Sequence, residues 1–237
     1  MLDDSRLPEI LRSFSGKKWG LLLRQESLAA LNNRHGWLDD EVINVYFKLL
    51  EHRSTIETND SPRLLFVSSF MCRHLEDEDR SGTLDLSKVC KKLLEKRDHG
   101  VVRSADWLYV PVHRGGGQSG HWVLLMASVK TREIEVYDPY HTHYGLDFEF
   151  VSLFRKVLLH LGQSWAEYTG PWTVLSKGYN KEIEVQKDGW NCGLFICAYA
   201  DAHSSNALGA RASPLIGIMD IRRLRRTMRN QFEQLQS

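Results

Sequence analysis

The sequence predicts an α+β protein, with strands grouped in the middle of the chain and helices on either side. Residues 107–113, 121–129 and 133–138 are rich in β-branched and aromatic side chains and are separated by turn-forming residues, a pattern typical of neighbouring strands. Residues 39–50 and 192–200 have almost no polar face, so both are predicted to be buried helices. With 237 residues, 42% of them hydrophobic, the chain can form one large domain or two small ones.

The composition argues against several classes of function. The formal net charge is +1 and no stretch approaches the roughly 18 apolar residues that span a bilayer, so we expect neither nucleic acid nor membrane as a partner. The acidic start lacks the apolar region of a secretory leader. The four cysteines are irregularly spaced and include no CxxC pair, which favours a reducing compartment, the cytoplasm or nucleus of its own or a host cell. We expect no metal and no cofactor.

The N-terminal part is predicted to contain the first central helix. Asp39 is a candidate N-cap for the helix at residues 39–50, and Asp40 and Glu41 follow in its first turn, where negative charge suits the helix dipole. Trp37 precedes this helix and either packs onto its first turns as a hydrophobic staple or lines the mouth of a site. The other predicted segments are a loosely packed stretch at 1–19, a short strand at 20–23 and a short helix at 27–31.

Between this helix and the strands, the sequence predicts loops that alternate with helices. Residues 83–96 place apolar side chains at helical spacing, which predicts an amphipathic helix. The charged residues 76–82 are predicted to form a mobile loop, and the polar residues 51–63 another. Residues 64–70 are an apolar run that leads into a helix.

The two later strands of the middle region are predicted to pair as a hairpin that turns at residues 130–132. The connection before them, residues 114–120, contains three consecutive glycines. Because the chain has no GxxxxGK[ST] or GxGxxG pattern, we interpret this connection as flexible and not as a phosphate-binding loop.

Beyond the hairpin, the sequence predicts a helix at 144–161, a strand at 172–175, the buried helix from residue 192 and a final amphipathic helix. The final helix carries five arginines off its apolar stripe. Such a cluster is typical of a solvated face, and docking of an acidic partner is the alternative. The stripe consists of Ile218, Ile221, Leu224, Met228, Phe232 and Leu235, and the arginines are Arg222, Arg223, Arg225, Arg226 and Arg229.

The start of the buried helix is the strongest candidate for chemistry. Asn191 is a candidate N-cap, which places Cys192 in the first turn, where the helix dipole and free N–H groups favour a reactive thiolate. Gly193 would leave room for an approaching substrate backbone. Simple burial of a small apolar side chain is the alternative for Cys192, and it is the reading we adopt for Cys197.

Three more residues complete a possible catalytic set. His121 begins one strand of the hairpin and Asp138 ends the other, so the hairpin brings them together, and a carboxylate beside an imidazole stabilises the imidazolium. Cys192 could face His121 as an ion pair, and the Gln186 amide could complete an oxyanion hole with the Cys192 N–H. His113 and His35 are alternatives for the base, as is Asp188 for the acid.

The chain resembles the Ulp-type, SUMO-specific cysteine proteases of the adenain-like branch of the papain-like clan. The matching motifs are spread over residues 20–232 and occur in the family's order, which makes the set specific although each fragment alone is not. They are Trp37-Leu38-Asp39-Asp40-Glu41-Val42-Ile43-Asn44, Val110-Pro111-Val112-His113, Gly120-His121-Trp122, Val136-Tyr137-Asp138 and Gln186-x-x-Gly189-x-x-Cys192-Gly193.

The resemblance implies a papain-like fold at residues 20–237, with a central mixed sheet flanked by helices and the nucleophile at a helix N-terminus. It implies that His121, Asp138, Gln186 and Cys192 are catalytic. By the same resemblance Trp37 and Trp122 would clamp the Gly-Gly tail of a ubiquitin-like modifier, SUMO first among them, and Asp40 would contact a basic residue on it. The implied activity is cleavage after Gly-Gly, in precursors, isopeptide conjugates or both.

The chain also departs from the usual pattern of that family around the predicted substrate channel. The connection before His121 is longer, Pro139 follows the aspartate, and Trp190 and Asn191 replace a small residue and an aspartate. These departures leave the choice of modifier open, including ubiquitin, as in bacterial effectors of this fold. Two rivals belong to other classes: an acetyltransferase on the same fold, which would need a basic pocket for coenzyme A phosphates, and an inactive binding module.

Overall fold

The computed structural model describes residues 23–56, 62–94, 99–115, 120–140, 148–175, 185–205 and 218–236. A sheet of five short strands lies between groups of helices, as the α+β prediction required. In chain order the elements are α1 Gln25–Asn32, α2 Asp40–Ile56, β1 Leu64–Phe66, α3 Ser69–Arg80, α4 Leu86–Leu94, α5 His99–Arg103, β2 Trp107–Arg114, β3 His121–Ser128, β4 Glu133–Tyr137, α6 Phe148–Ser164, a 3-10 turn Ala166–Tyr168, β5 Thr173–Val174, α7 Cys192–Ser204 and α8 Ile218–Gln236.

The strands lie in the order β1-β2-β3-β4-β5, so each strand pairs with its neighbours in sequence. The three central strands pair antiparallel, whereas β1 joins β2 and β5 joins β4 in parallel, which makes the sheet mixed. Leu124 pairs with Tyr137 in the predicted hairpin of β3 and β4. This register places His121, the first residue of β3, near Asp138, the residue that follows β4, at the same end of the two strands.

Each face of the sheet is covered by its own hydrophobic core. On one face, α2, α7 and α8 pack against side chains such as Tyr109, Leu124 and Met126. On the other face, α3, α4 and α6 pack against the alternate residues, such as Leu108, Val123 and Leu125. Because successive side chains of a strand point to opposite faces, strands covered on both sides carry continuous apolar runs, as these do.

Helix α7 is the most deeply buried helix, in agreement with its prediction. Apart from His203, all its residues from Cys192 to Ser204 are buried. Its far end is held by an ion pair with α2, in which Arg53 Nη1 lies 2.5 Å from Asp201 Oδ1. Both side chains are almost inaccessible, at 3% and 2% exposed.

Two predicted loops are helical in the structure. Helix α2 continues to Ile56, so residues 51–56 are not loop. Helix α3 runs to Arg80, and charges within residues 76–82, which were predicted to form a loop, pair one turn apart, such as Arg80 with Asp77 at 3.7 Å.

Other boundaries also differ. The amphipathic helix predicted at 83–96 is α4, which begins at Leu86 because Asp85 accepts hydrogen bonds from the N–H groups of Ser87 and Lys88. The short helix α5 had not been predicted. The strand predicted at 20–23 lies almost entirely outside the described residues, as do the segment at 1–19 and the start of the helix predicted from residue 144.

Candidate active site

Cys192 is the first residue of α7, where the sequence predicted a reactive thiol. Asn191 occupies the N-cap position, but the prediction that its side chain caps the helix is wrong, because it makes no capping hydrogen bond. The side chain is used elsewhere: Asn191 Nδ2 donates to Asp188 Oδ2 at 2.7 Å, and its Oδ1 accepts from Arg225 at 3.2 Å. The N–H groups of the first turn are thus not capped by the Asn191 side chain.

The hairpin brings His121 and Asp138 into direct contact. His121 Nε2 lies 2.7 Å from Asp138 Oδ1, and both side chains are largely buried, at 18% and 13% exposed. Asp138 Oδ1 also accepts the backbone N–H of Tyr140 at 2.9 Å, which fixes the carboxylate in place. The imidazole is therefore oriented through Nε2, and its other nitrogen faces away from the carboxylate.

The surroundings of His121 favour its charged form. Burial alone would lower the pKa, but the hydrogen bond with Asp138 and the interaction with the Cys192 thiol outweigh it and raise the pKa of His121 to about 9. Among the described residues, Nδ1 has no hydrogen-bond partner by geometry, although the Cys192 thiol is near enough to contribute to the raised pKa of His121. An imidazolium beside a thiol at a helix N-terminus can stabilise a thiolate.

Tyr140 belongs to the site although the sequence analysis did not identify it. Its ring stacks on that of His121, with 4.7 Å between the centroids and 25° between the planes. Its hydroxyl donates to the backbone carbonyl of Asp188 at 2.9 Å. Burial, followed by the nearby negative charges, raises the pKa of Tyr140, so the hydroxyl remains a donor at neutral pH. Tyr140 thus links the imidazole to the loop before Cys192.

Gln186 is buried in that loop, at 2% exposed. Its amide nitrogen donates to the carbonyl of Asp188 at 2.7 Å and lies 3.4 Å from the hydroxyl of Tyr140. Its backbone N–H donates to the Pro139 carbonyl at 2.8 Å, which ties the loop to the residue after Asp138. The same nitrogen lies 3.3 Å from Asp188 Oδ1, so the amide is held within the site by one short and two longer hydrogen bonds.

The alternatives for the base and the acid have other neighbours. His113 packs against Trp122, with 4.8 Å between the ring centroids and 54° between the planes, and burial lowers the pKa of His113. His35 lies against Trp190 at 4.5 Å. Asp188 accepts the backbone N–H groups of Trp190 and Asn191 at 3.1 and 2.9 Å, so its carboxylate organises the loop and does not contact the imidazole of His121.

The three residues expected to bind substrate differ in exposure. Trp37 is partly exposed, just before α2. Asp40 Oδ1 accepts the Ser69 hydroxyl at 2.9 Å and remains 25% exposed, with Arg73 at 3.5 Å. Trp122 is only 2% exposed and donates its indole N–H to the Leu38 carbonyl at 2.9 Å. Trp122 is thus packed beneath the surface while Trp37 is partly exposed, and the clamping of a Gly-Gly tail by this pair stays a prediction.

Gly193 is needed for packing, and the role in substrate access that the sequence suggested stays a prediction. A Cβ at this position would lie 3.1 Å from both Ile43 Cδ1 and Leu38 Cβ and 3.3 Å from Trp122 Cδ1. The glycine lets α7 approach α2 and β3 closely at the turn that carries the thiol.

The other three cysteines are buried and free. Burial raises the pKa of Cys90 to about 11 and raises those of Cys72 and Cys197 further. Thiols of this kind are unreactive at neutral pH, which agrees with the prediction that Cys197 is a packing residue.

A thiol at the N-terminus of a buried helix, beside an imidazole–carboxylate pair at the ends of two strands, is the arrangement typical of cysteine peptidases of the papain-like kind. Residues 36–237 match the Ulp1 protease family, C-terminal catalytic domain, and the chain belongs to that family.

Curated relatives agree with this assignment. Over 224 residues the chain is 25% identical to ubiquitin-like-specific protease ESD4 of Arabidopsis thaliana, covering 86% of this chain and 41% of the relative. Over 185 residues it is 28% identical to sentrin-specific protease 2 of Rattus norvegicus, covering 76% and 28%. The chain thus spans less than half the length of these relatives.

Solved structures share the fold. The Ulp1 protease domain solved in complex with Smt3, the yeast orthologue of SUMO, superposes with a TM-score of 0.64 at 18% identity, covering 98% of this chain and 95% of that one. Ulp1 with its catalytic cysteine oxidised to a sulfinic acid gives a TM-score of 0.65 at 17% identity, covering 99% and 97%. Among the described residues, no helix is long and apolar enough to cross a bilayer.

Proposed function

We propose that this chain is a thiol peptidase and isopeptidase that cleaves after the C-terminal Gly-Gly of a ubiquitin-like modifier, with SUMO as the first choice. The observation that carries the proposal is the 2.7 Å contact of His121 with Asp138 beside the helix N-terminus that bears Cys192. The names of the relatives support the modifier class, since they are ubiquitin-like-specific and sentrin-specific proteases.

In the proposed mechanism, Cys192 attacks the carbonyl carbon of the last glycine as a thiolate. His121 then transfers its proton to the leaving amine, either the backbone amine of a precursor or the lysine amine of a conjugate. The products of this step are the free amine and a thioester between Cys192 and the modifier. Water, deprotonated by His121, hydrolyses the thioester and releases the modifier with its Gly-Gly carboxylate.

Two further groups serve this mechanism. Asp138 orients the imidazole and stabilises its charged form. The backbone N–H of Cys192 and the amide of Gln186 donate to the oxyanion that forms at the carbonyl oxygen. In this step one Gln186 N–H leaves its longer contacts with Asp188 Oδ1 and the Tyr140 hydroxyl, while the bond to the Asp188 carbonyl remains. No metal or cofactor takes part in the proposed reaction.

The test is to incubate the protein with SUMO, ubiquitin and NEDD8, each bearing a C-terminal electrophile, and to measure which modifier is captured and how fast. We expect SUMO to form a covalent adduct fastest. Preferential capture of ubiquitin would assign the same chemistry to a deubiquitinase, and capture of none of the three would contradict the proposal.

A pair of cysteine variants provides the matched control. Cys192→Ala should form no adduct but should still bind the modifier, because the surface contacts lie elsewhere. Cys197→Ala should retain most of the reaction, because that thiol is fully buried. A folded Cys197→Ala protein that forms no adduct would overturn the assignment of the nucleophile.

Selection for Gly-Gly is proposed to involve Trp37, the partly exposed member of the tryptophan pair. If its indole narrows the channel, only residues without a Cβ can pass, and Trp37→Ala should lower kcat/KM but reject a Gly-Ala tail less strongly. An unchanged preference between the two tails, together with a lower melting temperature, would assign Trp37 to stapling helix α2 instead.

A further inference from the structure

A second concave site lies on the opposite side of the loop that carries the nucleophile. It is a pocket of about 540 Å³ formed by three elements: the end of α1 with the turn after it, the loop before α7, and one face of α8. Its volume is in the range of small-molecule sites. The rings of His35 and Trp190, 4.5 Å apart, form part of its wall.

The pocket is strongly positive. Five arginines line it, four of them on α8 at spacings of three and four residues, so that they share one face of the helix. Among the described residues, one carboxylate lines it, that of Asp188, and this group already accepts three hydrogen bonds from Trp190 and Asn191. The arginines are Arg34, Arg222, Arg225, Arg226 and Arg229.

A solvated face does not account for Arg225. This residue is 9% exposed, and its guanidinium donates to the backbone carbonyls of Ala30, Asn33 and Gly36 as well as to Asn191. This buried cation joins α8 to the turn after α1 and so shapes the pocket. Like charges one helical turn apart repel one another, and a bound anion removes that repulsion.

We propose that this pocket binds a compact small molecule that carries two or more phosphate groups. Arginine is suited to this chemistry, because its planar fork of N–H groups matches phosphate oxygens bidentately. The concave shape, with Arg34 on one wall and Arg226 and Arg229 on another, favours a compact polyanion over an extended one. This inference does not depend on the proposed peptidase activity.

The site is coupled to the loop before the nucleophile. Arg225 holds the Asn191 side chain at 3.2 Å, and Asp188, Trp190 and Asn191 all line the pocket. A ligand that bridges α8 and this loop should therefore restrain the segment that ends at Cys192.

The experiment measures binding by calorimetry and thermal shift on the full chain, with inorganic tripolyphosphate as the probe and potassium chloride of equal ionic strength as the reference. Adenosine triphosphate, without magnesium, tests whether a ring adds affinity, and orthophosphate tests a single phosphate group. We expect saturable tripolyphosphate binding with one site per chain, at least tenfold tighter than orthophosphate. Hydrogen exchange of residues 188–192 should slow when the site is filled.

Variants on the two walls locate the site. Arg226→Glu and Arg34→Glu should each weaken tripolyphosphate binding at least tenfold. Arg223→Glu, an exposed arginine of the same helix outside the pocket, should change it less than twofold. Because the two test variants lie on different elements, misfolding of one leaves the other as a test.

Three results would overturn the proposal. One is the absence of saturable binding above the salt reference. Another is an equal loss in Arg223→Glu, which would mean that the affinity is diffuse electrostatic attraction. The third is tighter binding of a hexaglutamate peptide than of tripolyphosphate, which would assign the surface to an acidic protein segment.

Discussion

The imidazole of His121 and the phenol ring of Tyr140 stack with 4.7 Å between their centroids, while Asp138 holds the far nitrogen of the imidazole at 2.7 Å. One face and one edge of the ring are thus both fixed. Among the described residues, the remaining edge, with Nδ1, has no hydrogen-bond partner. Several predictions about catalysis depend on this geometry.

The first prediction concerns the pH dependence of activity and stability. The pKa of His121 is raised from 6.5 to about 9, so the imidazolium is present below about pH 9 and is lost above it. Activity on a fluorogenic modifier should therefore fall on the alkaline side with a midpoint near 9. The pKa of His121 is higher in the folded than in the unfolded state. The interactions of the imidazolium with Asp138 and Cys192 therefore contribute stability that is complete below about pH 6.5 and is lost as the pH rises through 9.

Asp138→Asn removes the carboxylate that supports this charge. We expect kcat to fall by about three to four orders of magnitude, as for the analogous change in a serine protease, and the alkaline midpoint to move to lower pH. Asp188→Asn is the matched control: it should loosen the loop and lower the melting temperature but leave the midpoint in place. If the alkaline midpoint of activity shifted in Asp188→Asn and not in Asp138→Asn, Asp188 would be the carboxylate that supports His121, and Asp138 would have a structural role.

The second prediction separates the two roles of Tyr140. Tyr140→Phe keeps the ring on His121 but loses the hydrogen bond to the Asp188 carbonyl, so we expect a loss of about 0.5–1.5 kcal/mol in stability and an unchanged alkaline midpoint. Tyr140→Ala also releases the imidazole, and kcat/KM should fall much further. Equal kcat/KM in the two variants would mean that stacking does not position His121.

Much of the site could be predicted because its geometry is local. His121 and Asp138 are 17 residues apart in one hairpin, which brings them together, and the start of α7 sets the position of Cys192. Tyr140 could not be found in this way, since its hydroxyl partner lies 48 residues further along the chain. The pocket beside α8 also depends on the meeting of three separate segments, which no local pattern reports.

Contacts between distant segments also account for the errors in the predicted fold. Residues 51–56 looked like loop because they are polar, but Arg53 there is paired with Asp201, 148 residues away. Tertiary contacts thus extended α2 beyond its apolar pattern. For Trp122, sequence position could not predict that the indole would donate inward to the Leu38 carbonyl instead of facing a substrate.

The third prediction tests the packing at the nucleophile. Gly193→Ala places a methyl group 3.1 Å from Ile43 Cδ1, so helix α7 or the isoleucine must move. We expect a loss of about 1–3 kcal/mol of unfolding free energy and a lower kcat.

A second substitution provides the check. Ile43→Val removes the Cδ1 atom and alone should cost about 0.5–1.5 kcal/mol. The double variant should lose less unfolding free energy than the two single variants lose in total, and its kcat should recover in part. Strict additivity of both quantities would show that the contact with Ile43 is not what requires the glycine.

The fourth prediction concerns the buried ion pair at the far end of α7. Arg53→Met removes one partner and leaves Asp201 buried without its cation, which should cost about 3–5 kcal/mol in unfolding free energy. Arg53→Met/Asp201→Asn removes both charges and should recover at least part of that loss. Urea unfolding of the two single variants and the double variant gives the coupling energy between the side chains.

The position of this pair predicts that it acts on stability alone. Asp201 lies nine residues after Cys192, about 13 Å along the helix axis, so removing its partner should leave the thiol in place. At a temperature where Arg53→Met remains folded, its kcat/KM should therefore stay within about twofold of the wild type, with the alkaline midpoint unchanged. A folded Arg53→Met protein with a tenfold lower kcat/KM would show instead that α2 positions the nucleophile through this pair.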